Sequence, residues 1–181
     1  MDVVAEINDD LVIAIEDKTG TCLHEGNRKA LEDLKIHYAD RKVLAVYLKT
    51  DDEAHLETVE SFGFRPFLRA NFLALLRANL VLCGRNAIVS DLQTLLETRE
   101  TDVSAWRHEP VAEWTQKQTP WIGFFEHLRT VFSDLTWGYV ANANGGFLGA
   151  RWHWRPWKDE AGIYLQITQG PLQFRFTVPN K

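Results

Sequence analysis

Two apolar segments, each long enough for one central strand and separated by a helical pattern, constrain the fold more than any other feature. Residues 11–15 and 42–48 are nearly continuous apolar runs, which is typical of strands covered on both faces. Between them, residues 27–39 place apolar side chains at helical spacing. A helix that leads from one central strand to the next predicts an α/β sheet flanked by helices.

The pattern changes along the rest of the chain from helical to alternating. Residues 3–7 predict a strand before the first apolar run, joined to it by the turn-forming residues 8–10. A short helix is expected to end at Gly63, and further helices are predicted over 70–78, 86–106 and 121–135. After residue 136 apolar side chains alternate with small or polar ones, and turn-forming residues separate four such segments. These segments predict a four-strand antiparallel meander at the C-terminal end, so that the chain is α+β overall.

Tryptophan is confined to one part of the chain. All seven tryptophans lie between Trp106 and Trp157, so the second half is expected to have its own aromatic core or surface. A length of 181 residues suits one domain, or one domain with an extension. Residues 80–86 interrupt two helical patterns, and we therefore predict an α/β core over 1–82 and a Trp-rich extension over 83–181.

Composition limits the cellular setting and the partners. No apolar run approaches the roughly 20 residues that a membrane-spanning helix needs, and the first residues lack a basic, signal-like leader. Two cysteines, Cys22 and Cys83, suit a reducing compartment, so we expect a cytoplasmic protein with no membrane partner. The net charge of −5 lacks the basic signature of nucleic-acid-binding proteins. Residues 136–181, however, contain five Lys and Arg but only two Asp and Glu. A polyanion would therefore bind to a local basic region of this kind or through a divalent metal.

The residues that best indicate catalysis follow the first central strand. Alternation along the strand places Glu16 and Lys18 on the same side, and a hairpin through residues 8–10 can bring Asp2 beside Glu16. Two neighbouring carboxylates repel each other and are typical ligands of Mg²⁺. An adjacent lysine can orient the attacking water or help to deprotonate it.

The spacing alone does not establish a metal site, because an acid two residues before a lysine also occurs at 33–35 and 40–42. Only the match at Glu16 lies at the end of an apolar strand, and only there does the preceding strand also carry an acid, Asp2. The alternative is that Glu16 and Lys18 form a solvated ion pair worth at most about 1 kcal/mol.

The segment from Asp2 through the sequence VIAIEDKTGT, residues 12–21, resembles the core signature of the PD-(D/E)XK, or restriction-endonuclease-like, nuclease superfamily. It is most similar to uncharacterised bacterial members whose strand ends in Ile-Glu-Asp/Asn-Lys, and the similarity continues through residues 42–49 and 62–67. The resemblance implies a restriction-endonuclease-like mixed sheet and hydrolysis of nucleic-acid phosphodiester bonds with Mg²⁺ or Mn²⁺. It also implies that Asp2, Glu16 and the Asp17 carbonyl bind the ion, and that Lys18 assists the attacking water.

The chain departs from the superfamily pattern in two places. Family members usually have helices before the Asp strand, whereas this chain starts one residue before Asp2, which predicts a wetter and less enclosed site. Members also often carry a glutamine or lysine on the following helix, where this chain offers Asn27, Lys29 and Lys35. We further expect the Met1 ammonium to lie near Asp2 and to compete with metal for it.

Two alternatives to the enzyme therefore remain open. One is a catalytically degenerate module that keeps the nuclease scaffold and binds nucleic acid or a protein partner. The other is an assembly component whose exposed aromatic residues form a homo-oligomer interface.

A cluster of aromatic and basic residues at 152–158, WHWRPWK, is the clearest candidate for contact with nucleic acid. Alternation predicts that Trp152 and Trp154 share the core face of one strand, which leaves the basic residues between them on the other face. No pair of histidines or cysteines has zinc-site spacing, so no zinc is expected. The predicted nucleic-acid contacts are Lys29, Lys35, Arg151, His153 and Arg155.

Overall fold

The computed structural model describes residues 1–79, 81, 85–143, 145–157, 161–169 and 172–177, with the backbone alone at 115, 116 and 172. The chain divides into two compact units, Met1–Thr98 and Arg99–Lys181. The domain boundary predicted at 82/83 and Cys83 lie outside the described residues. The predicted mixed α/β class is confirmed by one mixed and one antiparallel four-stranded sheet.

The first unit contains a sheet in which each strand pairs with its neighbour in the sequence, in the order β1-β2-β3-β4. The first pair is antiparallel, and the other two pairs are parallel. The strands are β1 (Val3–Glu6), β2 (Leu11–Asp17), β3 (Lys42–Lys49) and β4 (Arg65–Leu68). The helices are α1 (Glu25–His37), α2 (Leu56–Ser61), α3 (Arg69–Ala78) and α4 (Ala87–Ser104), of which α4 continues into the second unit.

The predicted hairpin at residues 8–10 is confirmed by its hydrogen bonds. The Asn8 side-chain oxygen accepts from the backbone N–H groups of Asp10 and Leu11, as an Asn in a tight turn commonly does. This turn sets the register in which Val3 faces Ile15. The start of β1 therefore lies beside the end of β2, where the candidate catalytic residues are.

Strand β2 is buried completely on one face only. Val12, Ala14 and Glu16 are buried, whereas the residues between them are half-buried. Helix α1 contacts the buried face through Asn27, which bonds to Glu16, and its Leu31 packs with Tyr47 and Phe64 in one core cluster. The sequence of β2 is apolar at every position from 11 to 15 because the second face of the strand is also partly shielded from solvent. The last residue on the buried face is Glu16.

The second unit confirms the predicted four-strand meander. Strands pair antiparallel in chain order, β5-β6-β7-β8, and aromatic side chains such as Trp114, Trp121 and Phe125 form the buried core beside them. Two 3₁₀ helices, Ala105–Arg107 and Val111–Gln116, precede helix α5 (Thr119–Val131). The strands are β5 (Thr136–Val140), β6 (Phe147–Pro156), β7 (Gly162–Thr168) and β8 (Leu172–Thr177).

The prediction that Trp152 and Trp154 share a core face is wrong. The backbone at His153 has φ 62°, and the β6–β7 register shifts between Trp152 and Arg155. Such a bulge turns the following side chain to the other face of the sheet. Trp152 accordingly stacks on Phe132, while Trp154 is 52% exposed.

Among the described residues, no helix combines the length and the apolar character that crossing a membrane requires.

Candidate functional site

Buried polar side chains gather at one edge of the first sheet. Five of the six buried polar or charged residues described in the chain lie at, or shortly after, the carboxyl ends of its parallel strands. This edge is where open α/β sheets place their ligand sites. The five residues are Glu16, Asn27, Lys49, Glu53 and Arg69.

Glu16 is the centre of the first group. Glu16 is 3% exposed. Its Oε1 atom accepts hydrogen bonds from Lys18 Nζ at 2.6 Å and from Asn27 Nδ2 at 2.5 Å. Its Oε2 atom is buried and receives no hydrogen bond, although the Met1 ammonium lies 3.4 Å away. The alternative of a solvated Glu16–Lys18 pair is therefore wrong, because the Glu16 carboxylate is almost entirely removed from water.

Local structure fixes both donors to Glu16. The Lys18 backbone N–H donates to the Leu48 carbonyl at 3.0 Å, so the pairing of β2 with β3 continues past the end of the strand. Asn27 lies in the first turn of α1, where its side-chain oxygen accepts from the His24 N–H at 3.1 Å. That bond leaves the Asn27 amide nitrogen directed at Glu16.

Asp2 has a different environment from Glu16. It is exposed, its Oδ2 atom accepts from the Asp17 backbone N–H at 2.8 Å, and its own N–H donates to the Ile15 carbonyl at 3.0 Å. The side chain thereby extends the β1–β2 pairing by one hydrogen bond. The Met1 ammonium, expected beside Asp2, instead pairs with Glu16.

The residues around β2 have the donor chemistry for a hard divalent cation. The Glu16 Oε2 atom receives no hydrogen bond, and the exposed Asp2 carboxylate lies at the neighbouring end of β1. Oxygen donors of this kind are the ligands that Mg²⁺ prefers. In the described part of the chain, no three side chains of His, Cys, Asp or Glu are grouped so that they could hold a metal. These oxygens are the ones that would hold an ion, and the Met1 ammonium lies 3.4 Å from one of them, Oε2 of Glu16.

A second buried group lies at the end of β3, and the sequence analysis did not identify it. Glu53 Oε2 accepts from the Tyr47 hydroxyl at 2.5 Å and from Lys49 Nζ at 3.0 Å, and Oε1 accepts from the His55 N–H at 2.8 Å. Lys49 Nζ also donates to the Thr21 carbonyl at 3.0 Å. The group therefore holds the segment between Lys18 and α1 against the end of β3.

The pKa of Glu53 reflects two opposed effects. Burial alone would raise it, but the hydrogen bonds from Tyr47, the His55 N–H and Lys49 outweigh burial and hold it below its ordinary value. The pKa of Tyr47 is raised, first by burial and then by its bond to Glu53. The pair is therefore an ionised carboxylate and a neutral phenol at neutral pH.

The predicted nucleic-acid contacts meet the simplest requirement for that role, since all five are exposed. Lys29 and Lys35 lie on α1 in the first unit, and Arg151, His153 and Arg155 lie on β6 in the second. Because of the β6 bulge, Arg155 pairs with Ile163 of β7. It therefore lies on the other face of the sheet from the one that alternation predicted. Their contact with nucleic acid stays a prediction.

No family model, curated protein or solved structure matches the chain.

Proposed function

We propose that the chain hydrolyses phosphodiester bonds of nucleic acid with a divalent metal ion, at the carboxyl end of β2. The observation that carries the proposal is Glu16, a carboxylate at 3% exposure that contacts Lys18 at 2.6 Å and retains one oxygen without a hydrogen bond. Removing a carboxylate from water costs several kcal/mol, and both oxygens of the other buried carboxylate, Glu53, accept hydrogen bonds, whereas Oε2 of Glu16 accepts none and a bound cation would offset that cost. The superfamily resemblance supports the same residues.

Each side chain has a distinct task in this proposal. A bound Mg²⁺ or Mn²⁺ supplies charge neutralisation at the phosphate and a more acidic water. Glu16 and Asp2, with the Asp17 carbonyl, hold the ion. Lys18 orients the attacking water, because its side chain is 17% exposed and its Nζ atom is already directed to Glu16. Asn27 fixes the rotamer of the Glu16 carboxylate through its hydrogen bond to Oε1.

A second candidate is the catalytically degenerate module. The observation in its favour is that the Lys18 and Met1 ammonium groups both lie against Glu16, while Asp2 Oδ2 is bonded to the Asp17 N–H. These contacts balance the Glu16 charge without a metal. In that case the cluster fixes the end of β2, and any binding of nucleic acid or a protein partner falls to other surfaces.

Cleavage of plasmid DNA, single-stranded DNA and RNA, each with Mn²⁺ and with Mg²⁺, tests the proposal. We expect Glu16→Gln, which removes a metal ligand, and Lys18→Met, which removes the group that positions the water, each to lower the rate about 100-fold or more. Asp40→Asn and Lys42→Met are the matched controls, because they have the same spacing but lie at an exposed turn and strand start. They should cleave as wild type does.

A calorimetric titration with Mn²⁺ separates the two candidates without relying on turnover. The hydrolase requires binding that Glu16→Gln and Asp2→Asn both weaken. Absence of cleavage and of Mn²⁺ binding in the wild-type chain favours the degenerate module. Cleavage that persists in both Glu16→Gln and Lys18→Met contradicts the proposed site.

A further inference from the structure

The bulge in β6 presents an aromatic side chain on the face of the second sheet opposite α5. The His153 N–H donates to Asp134 Oδ2 at 2.8 Å, which holds the residue at φ 62°. A non-glycine residue in this region is unfavourable, and bulges commonly re-aim a side chain at a functional position. Here the bulge turns Trp154 away from the core face occupied by Trp152.

Trp154 lies flat on β7 because of a glycine. An added Cβ at Gly162 would lie 2.2 Å from the Trp154 ring, so only glycine leaves room for the indole to rest on the strand. The ring then stacks on Tyr164 with centroids 5.6 Å apart and planes 20° from parallel. Trp154 is 52% exposed and Tyr164 is partly exposed. The result is a flat aromatic surface open to solvent.

Arginine side chains lie beside this aromatic surface. Arg175 faces Tyr164 directly across the β7–β8 pair, and Arg151 lies on the same face, opposite Gln166. Both arginines are exposed, and Arg151 Nε donates to Thr136 Oγ1 at 3.1 Å. Strands β5 to β8 contain no Asp or Glu; the only acids after residue 136 are Asp159 and Glu160, which lie outside the described residues. The face therefore combines positive charge with exposed aromatic rings.

A single-stranded nucleic acid matches both properties. Its phosphates are attracted by Arg151 and Arg175, while the one described acid at this part of β6, Asp134, accepts a hydrogen bond from the His153 N–H. Its unpaired bases can stack on Trp154 and Tyr164. A duplex keeps its bases stacked on each other, so it would meet only the arginines. We propose that this face, defined by Arg151, Trp154, Tyr164 and Arg175, binds single-stranded DNA or RNA. The proposal concerns binding alone and does not require hydrolysis at Glu16.

Fluorescence anisotropy with labelled oligo-dT and oligo-rU of about 15 nucleotides, a length that covers a typical single-strand site, tests this in EDTA. We expect Trp154→Ala to weaken binding about 5- to 150-fold, the factor that corresponds to the loss of one stacked base, about 1–3 kcal/mol. Arg175→Gln should weaken binding and reduce the salt dependence by about one phosphate contact. The matched control is Phe174→Ala, since Phe174 is 73% exposed on the opposite face of the same sheet, and it should bind as wild type does.

Three results would overturn the proposal: no binding by the wild-type chain, a duplex of equal length bound as tightly as the single strand, or equal effects of Trp154→Ala and Phe174→Ala. Thermal unfolding checks that each variant folds. Should Trp154→Ala fail to fold, the exposed Arg175→Gln decides, because unchanged affinity and salt dependence there contradict the assigned face. EDTA removes the metal, so this outcome is independent of the cleavage experiments.

Discussion

Replacing Glu53 with glutamine is expected to lower the free energy of unfolding by about 3–5 kcal/mol, the usual cost of removing one partner of a buried ion pair. Glu53 is 5% exposed and Lys49 is 4% exposed, so neither charge is relieved by water. Glutamine would leave the Lys49 ammonium buried without a counter-charge and would alter the bond to the Tyr47 hydroxyl. Urea unfolding followed by circular dichroism measures the loss.

The same pair predicts a specific response to acid. The folded-state pKa of Glu53 is below its ordinary value of 4.5, because its hydrogen-bond donors outweigh the effect of burial. A lowered pKa means that the stabilisation is present above the unfolded-state pKa and is lost as pH falls through the folded-state pKa. Wild type should therefore lose stability on acidification below about pH 4.5, and Glu53→Gln should lack that part of the loss.

The control for both measurements is Glu60→Gln. Glu60 is an exposed acid of helix α2 in the same unit, and its replacement should change stability by no more than about 0.5 kcal/mol. An unfolding free energy of Glu53→Gln equal to that of Glu60→Gln would contradict the structural role assigned to the Tyr47–Lys49–Glu53 group.

Replacing Gly123 with alanine is expected to destabilise the second unit by about 1–3 kcal/mol. An added Cβ would lie 1.9 Å from the Val103 carbonyl oxygen and 2.8 Å from Trp106 Cδ1. Relief of this overlap requires backbone movement between α5 and the preceding helical segment, and overpacking of this kind costs about 1–3 kcal/mol or more. Helix propensity alone predicts the opposite sign, a gain of about 1 kcal/mol. The direction of the change is therefore decisive.

Gly138→Ala provides the matched comparison. Gly138 lies in β5 of the same unit, and nothing is within 4 Å of an added Cβ there. We expect its thermal unfolding to remain close to that of wild type, while the transition of Gly123→Ala falls by several degrees. A Gly123→Ala protein as stable as Gly138→Ala would mean that α5 does not pack as closely against Val103 as the structure indicates.

Periodicity predicted the two sheets but could not predict one residue's departure from regular alternation. The apolar runs and turn residues were enough to predict the β1–β2 hairpin, the strand–helix–strand order and the C-terminal meander. Trp154 was assigned to the wrong face because a single bulge residue, His153, shifts every later side chain of the strand by one. The backbone conformation at His153 depends on Asp134, which lies in a preceding segment.

The candidate site was predictable to a similar extent. Alternation alone predicted that Glu16 and Lys18 meet, and they do at 2.6 Å. It did not reveal that the Asp2 side chain would bond to the Asp17 backbone, since a strand end has no partner beyond it to fix its last side chain. Glu53 was missed because it lies in a loop without periodicity. Lys49, a lysine that ends an apolar strand, was the available signal, because a buried ammonium needs a carboxylate nearby.

The strand order has a consequence for how the chain reaches its structure. In both sheets every strand pairs only with strands next to it in the sequence, so no strand must be inserted between two that are already paired. Each newly synthesised strand can therefore add to the edge left by the previous one while the ribosome is still translating the remainder. Short sequence separation between contacting segments favours rapid folding, and the second sheet, built entirely from hairpins, should assemble without waiting for the first.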